Sequence, residues 1–257
     1  VDLLEVRGLT KRFGGVVALD GVDVAVPSGS IVSIIGPNGA GKTTFFNVVS
    51  GLLRPNAGTV TLAGHRLDGL RPDQIASLGV ARTFQNLRLF GRLTAEENVL
   101  IGAHCQGRAS LLAALVRSPG AREEEGRLRR RAREALAFVG LERRRTHPAG
   151  SLPYGAQRRL EIARALASGP RLLLLDEPTA GMTPEESADL MGLIERIRRL
   201  GITVVVIAHD MQLVRGLSDR IVALHHGRKI ADGPPAAVMG SREVIDAYLG
   251  SEDDALV

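Results

Sequence analysis

The stretch Gly36-Pro37-Asn38-Gly39-Ala40-Gly41-Lys42-Thr43 sets two glycines, a lysine and a threonine at the spacing of a phosphate-binding loop, with Thr44 directly after it. Glycines let such a loop curl until successive backbone amides point at one anion, and a helix starting behind it turns its positive end toward the same charge. In this arrangement Lys42 is expected to reach the β and γ phosphates of a nucleoside triphosphate, and Thr43 to ligate magnesium. The residues from Gly36 to Thr44 are all expected to touch the triphosphate.

Two further groups have chemistry that such a loop needs. Leu172-Leu173-Leu174-Leu175 runs into the adjacent acids Asp176 and Glu177. Successive strand side chains face opposite ways, so the two acids are expected to take different roles. Asp176 is expected to hold magnesium, and Glu177 to accept a proton from an attacking water. Thr203-Val204-Val205-Val206-Ile207-Ala208 similarly delivers His209 at the end of an apolar run. That is the sheet edge where open α/β proteins bind ligands, so His209 is a candidate contact to the γ phosphate. His65, His104, His147, His225 and His226 have no comparable setting, and no spacing of His, Cys and Asp suggests a zinc site.

These groups must be positioned by buried strands. Ile31 to Ile35 is apolar except for Ser33 and fits a strand covered on both faces, immediately ahead of the glycine loop. Leu172 to Leu175 and Thr203 to Ile207 have the same texture, with a helical pattern from Pro184 to Leu200 between them. Alternation of strand and helix predicts a mostly parallel sheet covered by helices, an α/β fold. Nearer the start, Leu3 to Val6, Val22 to Val26 and Thr59 to Leu62 alternate apolar and polar residues as half-buried strands. From about Ala95 to Leu141 the periodicity is helical, with Leu128, Ala132, Ala135, Leu136 and Val139 on one face and arginines on the other. This segment reads as an inserted helical subdomain.

The 257 residues are 44% hydrophobic and 24% charged, which excludes a disordered or collagen-like chain. The longest apolar runs, around Leu111 to Val116 and Leu172 to Leu175, fall far short of a membrane span. Val1 to Phe13 lacks the features of a secretory signal, and Cys105, as the lone cysteine, has no internal partner for a disulfide. Both features suit a reducing cytosol. The net charge of +5 comes almost wholly from arginine, since Lys11, Lys42 and Lys229 are the only lysines. Charge alone does not choose among a solvated face, nucleic acid and an anionic membrane.

More specific segments resemble the ATPase subunits of ABC transporters over essentially the whole chain. Phe13, in Lys11-Arg12-Phe13-Gly14-Gly15, stands where that family stacks an aromatic on adenine. Gln85, in Thr83-Phe84-Gln85-Asn86, is similar to the glutamine that links magnesium and the attacking water to the membrane subunits. Leu152, Pro153, Tyr154, Gly155, Ala156 and Gln157 occupy the place of the family signature, with Arg158-Arg159-Leu160-Glu161-Ile162-Ala163-Arg164 behind them.

The resemblance implies ATP and Mg2+ as cofactors, with Thr43, Gln85 and Asp176 at the metal and Glu177, His209, Gln85 and Lys42 in catalysis. It also implies a P-loop ATPase domain with an N-terminal antiparallel β subdomain. The single domain would have its core at about 1–90 and 158–240, its helical subdomain at about 91–157 and a short extension at about 241–257. Partners follow from the resemblance as well: a second ATPase subunit packed head to tail so that each signature closes on the other chain's ATP, transmembrane permease subunits and, indirectly, an extracytoplasmic solute-binding protein. The expected location is the cytoplasmic face of the membrane, with no nucleic-acid partner.

The chain departs from the family pattern at Pro153, where a serine hydroxyl normally contacts the γ phosphate, at Tyr154 and Ala156, and at Thr183, where an aspartate is usual. The missing hydroxyl predicts weakened closure on the partner's nucleotide and a heterodimer with a chain whose signature is intact. Arg82 to Phe90, Glu97-Asn98-Val99-Leu100, His209-Asp210-Met211 and the tail Glu243 to Gly250 are similar to importers of branched-chain amino acids. Related systems import urea or amides or export lipopolysaccharide. Guanine-reading Asn-Lys-x-Asp is absent, which argues against a GTPase. A kinase would leave the signature helix without a purpose, and an ATPase acting on nucleic acid usually carries a long coiled coil or a second ATPase unit.

Overall fold

A computed structural model describes residues 1–104 and 119–253. Cys105, the run Leu111 to Val116 and the last residues of the 241–257 extension lie outside the described residues.

Strands β1 (Asp2–Phe13) and β2 (Val16–Pro27) form an antiparallel hairpin longer than the segments expected at Leu3 to Val6 and Val22 to Val26. Their polar halves stay in the ladder because Gly8 and Gly21, at φ 58° and 65°, absorb register shifts there. With β4 (Ala57–Leu62) and β5 (His65–Arg66) they make a four-stranded antiparallel sheet in the order β2-β1-β4-β5.

The second sheet contains β3 (Ile31–Ile35), β6 (Val80–Arg82), β7 (Leu172–Asp176), β8 (Thr203–Ile207), β9 (Arg220–His225) and β10 (Arg228–Gly233). Its order is β10-β9-β3-β8-β7-β6, and every neighbouring pair is parallel except the β9–β10 hairpin. The apolar runs are buried on both faces because the sheet lies between two cores. Val32, Ile34, Leu172, Leu174, Val205 and Ile207 face helix α1 (Lys42–Val49) and the antiparallel sheet. Ile31, Ile35, Leu173, Leu175, Val204 and Val206 face the larger helices.

After α2 (Pro72–Ser77), helices α3 (Ala95–Ala103), α4 (Pro119–Phe138) and α5 (Tyr154–Ala167) pack on one another. Helix α5 starts inside the span expected for the helical subdomain, about 91–157, and runs past residue 158, so it touches both α3 and β6. Then follow α6 (Pro184–Arg199), α7 (Met211–Leu217), α8 (Pro235–Met239) and α9 (Arg242–Asp253). Among the described residues no helix is long and apolar enough to cross a membrane.

Thr183 is the N-cap of α6. Its hydroxyl accepts the Glu186 amide at 3.2 Å, and the Glu186 carboxylate accepts the Thr183 amide at 3.1 Å, a reciprocal capping box. Thr183→Ala is therefore expected to lower unfolding stability by about 1 kcal/mol, whereas Thr183→Asp keeps the cap. Denaturant titration of the two variants checks this.

Candidate functional site

The four strands β3, β8, β7 and β6 are neighbours in that order, and each delivers one candidate group at its carboxyl end. Behind β3 comes the glycine loop, behind β8 His209, at the end of β7 Asp176 and Glu177, and behind β6 Gln85. Groups scattered over more than 170 residues of sequence thus meet along one sheet edge.

The loop is tightly packed at its base. Gly36 has φ 149°, and a Cβ there would lie 2.1 Å from the Leu224 carbonyl oxygen, so only glycine fits. Gly41, at φ 102°, is the N-cap residue of α1 and would meet the Ala18 carbonyl at 2.5 Å. The first turn of α1 has no side-chain cap and no acidic residue, which leaves its amides and dipole to an anion. Lys42 is buried, and its Nζ donates to the carbonyls of Gly36 at 2.6 Å and Pro37 at 2.8 Å. Burial pushes its pKa down, and the nearby Glu177 and Asp176 carboxylates oppose that shift. Thr43 is exposed at the start of α1, with Thr44 half-buried behind it.

Asp176 is buried and accepts Arg82 Nη2 at 2.9 Å. Burial raises the pKa of its carboxyl, and the bond to Arg82 offsets part of the rise. The expected reason for the two acids facing different ways is corrected by the backbone. Strand β7 ends at Asp176, and Glu177 has φ 46°, a left-handed conformation unusual for a residue with a side chain. A turn, not strand alternation, aims Glu177. There its Oε2 accepts Gln85 Nε2 at 2.9 Å, while Oε1 shares a hydrogen bond of 2.5 Å with His209 Nε2. One carboxylate is held by a side chain on either side.

Phe13 lies at the β1–β2 turn, 46% exposed, with Lys11 Nζ 5.1 Å from its ring centre. The hairpin is tied to the loop through Ala18, whose carbonyl borders Gly41.

In the signature region helix α5 starts at Tyr154, with Pro153 immediately before it in extended backbone rather than inside the first turn. Leu152 is buried, Gln157 Nε2 donates to its carbonyl at 2.8 Å, and Gly155 and Ala156 sit in the first turn, which holds no acidic residue. Tyr154 Oη donates to the Ala180 carbonyl at 3.0 Å, spanning the gap to the loop that follows Glu177.

Two arginines here have roles that motif spacing left unassigned. Arg82 anchors Asp176. Arg158 is fully buried and donates to the carbonyls of Phe84 and Gln85, each at 2.8 Å, to Tyr154 Oη at 3.0 Å and to Glu161 at 3.2 Å. It therefore ties the backbone of Gln85 to the signature helix. One sequence signal points to it: Arg158 and Glu161 are oppositely charged three residues apart on the helix stripe that also carries Ile162 and Ala165. Among the described residues no group of three or more His, Cys, Asp or Glu is placed to hold a metal by itself.

The family model described as ABC transporter matches residues 19–180, and one described as branched-chain amino acid ATP-binding cassette transporter matches residues 228–254. The chain is 46% identical over 249 residues to the high-affinity branched-chain amino acid transport ATP-binding protein BraF of Pseudomonas aeruginosa, covering 96% of this chain and 98% of that protein. Among solved structures it resembles MJ1267, an ATP-binding cassette of an ABC transporter in its ADP conformation, with TM-score 0.86 and 32% identity over 97% of this chain and 99% of that one. It also resembles the dimeric post-hydrolysis state of the cassette MJ0796 bound to ADP and Pi, with TM-score 0.76 and 30% identity over 90% and 98% of the two chains.

Proposed function

This chain belongs to the ABC transporter family of ATP-binding subunits, and on that premise we propose that it hydrolyses ATP to power import of branched-chain amino acids. The observation that carries the mechanism is Glu177 gripped between Gln85 and His209 at the sheet edge that also bears the P-loop. Water is the nucleophile in this reading, and Glu177 takes its proton. His209 orients the carboxylate and faces the γ phosphate. Lys42 exchanges its bonds to the Gly36 and Pro37 carbonyls for phosphate oxygens, and the α1 amides hold the rest of the triphosphate. Phe13 offers the exposed ring for adenine.

Magnesium fits the residues present. The Thr43 hydroxyl, the Asp176 carboxylate and the Gln85 amide oxygen are hard donors, and this metal is usually held by one or two carboxylates plus substrate phosphates rather than by an all-protein cage. When bound, it neutralises charge on the β and γ phosphates.

Two partners follow. An apolar groove of about 330 Å³ runs between α2, β6, α3 and α5, with Leu52, Ile75, Phe84 and Ile101 in its lining. It adjoins Gln85, and we assign it to a cytoplasmic segment of the permease. The second partner is another ATPase chain facing the signature. The dimeric MJ0796 relative supports the pairing, and Pro153, which brings no hydroxyl to the facing nucleotide, supports a heterodimer. The site then works at the cytoplasmic face of the membrane, with an extracytoplasmic solute-binding protein as an indirect partner that delivers cargo to the permease.

Reconstitution with the permease and the second ATPase chain tests the proposal through uptake of labelled leucine. Uptake is expected to require ATP and to fall at least about tenfold with Lys42→Ala, the loss of one charge-assisted phosphate contact. ATP-independent uptake, or no uptake of any branched-chain amino acid, would sink it.

A further inference from the structure

The glycine that opens the phosphate loop is held from both sides. Its carbonyl accepts Lys42 Nζ, and its amide donates to Tyr248 Oη at 2.8 Å, across 212 residues of sequence. Tyr248 belongs to α9, the last described helix, which lies in the segment matched by the second family model. The helix is anchored by Val244 and Ala247, both buried, and the Tyr248 ring packs against the core of the larger helices. The position is demanding because Gly36 cannot bear a side chain and its amide points away from the rest of the loop into protein. Burial pushes the Tyr248 hydroxyl up to about 12, so it stays an uncharged phenol across the physiological range.

We propose that Tyr248 is a positioning residue for ATP binding: its hydroxyl fixes the base of the phosphate loop, so that the C-terminal helix is part of the nucleotide site. The physical link is short. Tyr248 holds the amide of Gly36, and the carbonyl of the same residue holds Lys42, so the start of the loop and its cation share one anchored peptide segment. Losing the hydroxyl frees a buried amide and lets the loop sample shapes that do not present Lys42 to phosphate. A loop that must first be ordered binds more weakly, because part of the binding free energy goes into ordering it.

The inference rests on the ATP site assigned above, and the experiment separates the two. The wild-type chain must bind ATP with magnesium; if it does not, the function assignment falls rather than this one. Tyr248→Phe keeps the ring in place and removes only the hydroxyl. It is expected to raise the Kd for ATP about threefold to tenfold, the effect of one hydrogen bond, and to speed hydrogen exchange at the Gly36 amide. A Kd within twofold of wild type overturns the proposal, even if exchange at Gly36 quickens, since the bond would then be structural only. A weaker Kd with unchanged Gly36 exchange overturns it too, because the effect would come by another route. Should the variant fail to fold, the wild-type chain still decides. A Gly36 amide already protected from hydrogen exchange before ATP is added supports the anchor, and one protected only once ATP is bound overturns it.

Discussion

Glu177→Gln is expected to lower ATP turnover by about 10²- to 10⁴-fold, the usual contribution of general-base catalysis, while ATP still binds. The separation follows from where the side chain sits. Glu177 touches Gln85 and His209, and neither bond involves the glycine loop or α1, the groups proposed to hold the phosphates. A glutamine keeps the shape and one acceptor oxygen, so one of the two neighbours remains bound. What disappears is the anion that accepts a proton. Single-turnover hydrolysis in the reconstituted complex, measured beside ATP affinity, distinguishes this from a general loss of fold. Near-normal turnover would remove Glu177 from the role of base and leave His209 as the candidate. His209→Ala gives the complementary result: the carboxylate stays but is released on one side, so turnover falls while the proton acceptor survives.

The strand ends were readable because chemistry and burial coincide there. An apolar run that stops at Asp176, or at Ile35 just before Gly36, marks a sheet edge in sequence as clearly as in space. The alternation argument failed at Glu177 because it assumed that the strand continued, whereas the backbone turns to φ 46° at that residue. Pro178 in Asp-Glu-Pro-Thr argues against a continued strand but does not by itself call for a left-handed residue; in the fold the Glu177 amide donates to the Ile207 carbonyl on β8. The same limit hid Tyr248, whose partner lies 212 residues away, while β6 is too brief and β10 too polar for periodicity to separate them from loop. Thr183 illustrates the converse. It looked like a departure from a family pattern, and the structure shows a helix cap that its hydroxyl supplies directly.

The second large effect is expected at Arg158. Arg158→Met should lower stability by about 3–5 kcal/mol, the usual result of breaking a buried ion pair from one side, out of a total that for a domain is about 5–15 kcal/mol. Three losses combine. Glu161, itself buried, keeps only Arg164 at 3.8 Å as a charged neighbour, and burial already pushes its carboxyl pKa up. The carbonyls of Phe84 and Gln85 lose their guanidinium donors, and Tyr154 Oη loses the donor that fixes it toward Ala180. In a chain of this size that corresponds to a fall in Tm of roughly 10 °C, readable by thermal unfolding without nucleotide. Arg158→Lys separates charge from geometry. It keeps a cation beside Glu161, but a single ammonium cannot span two carbonyls and a hydroxyl as the planar guanidinium does. The lysine variant is therefore expected to recover much of the stability and little of the turnover, because the backbone under Gln85, and with it the grip on Glu177, stays loose. Equal recovery of both would show that Arg158 matters only as a buried charge, and a methionine variant melting within about 2 °C of wild type would contradict the assigned network altogether.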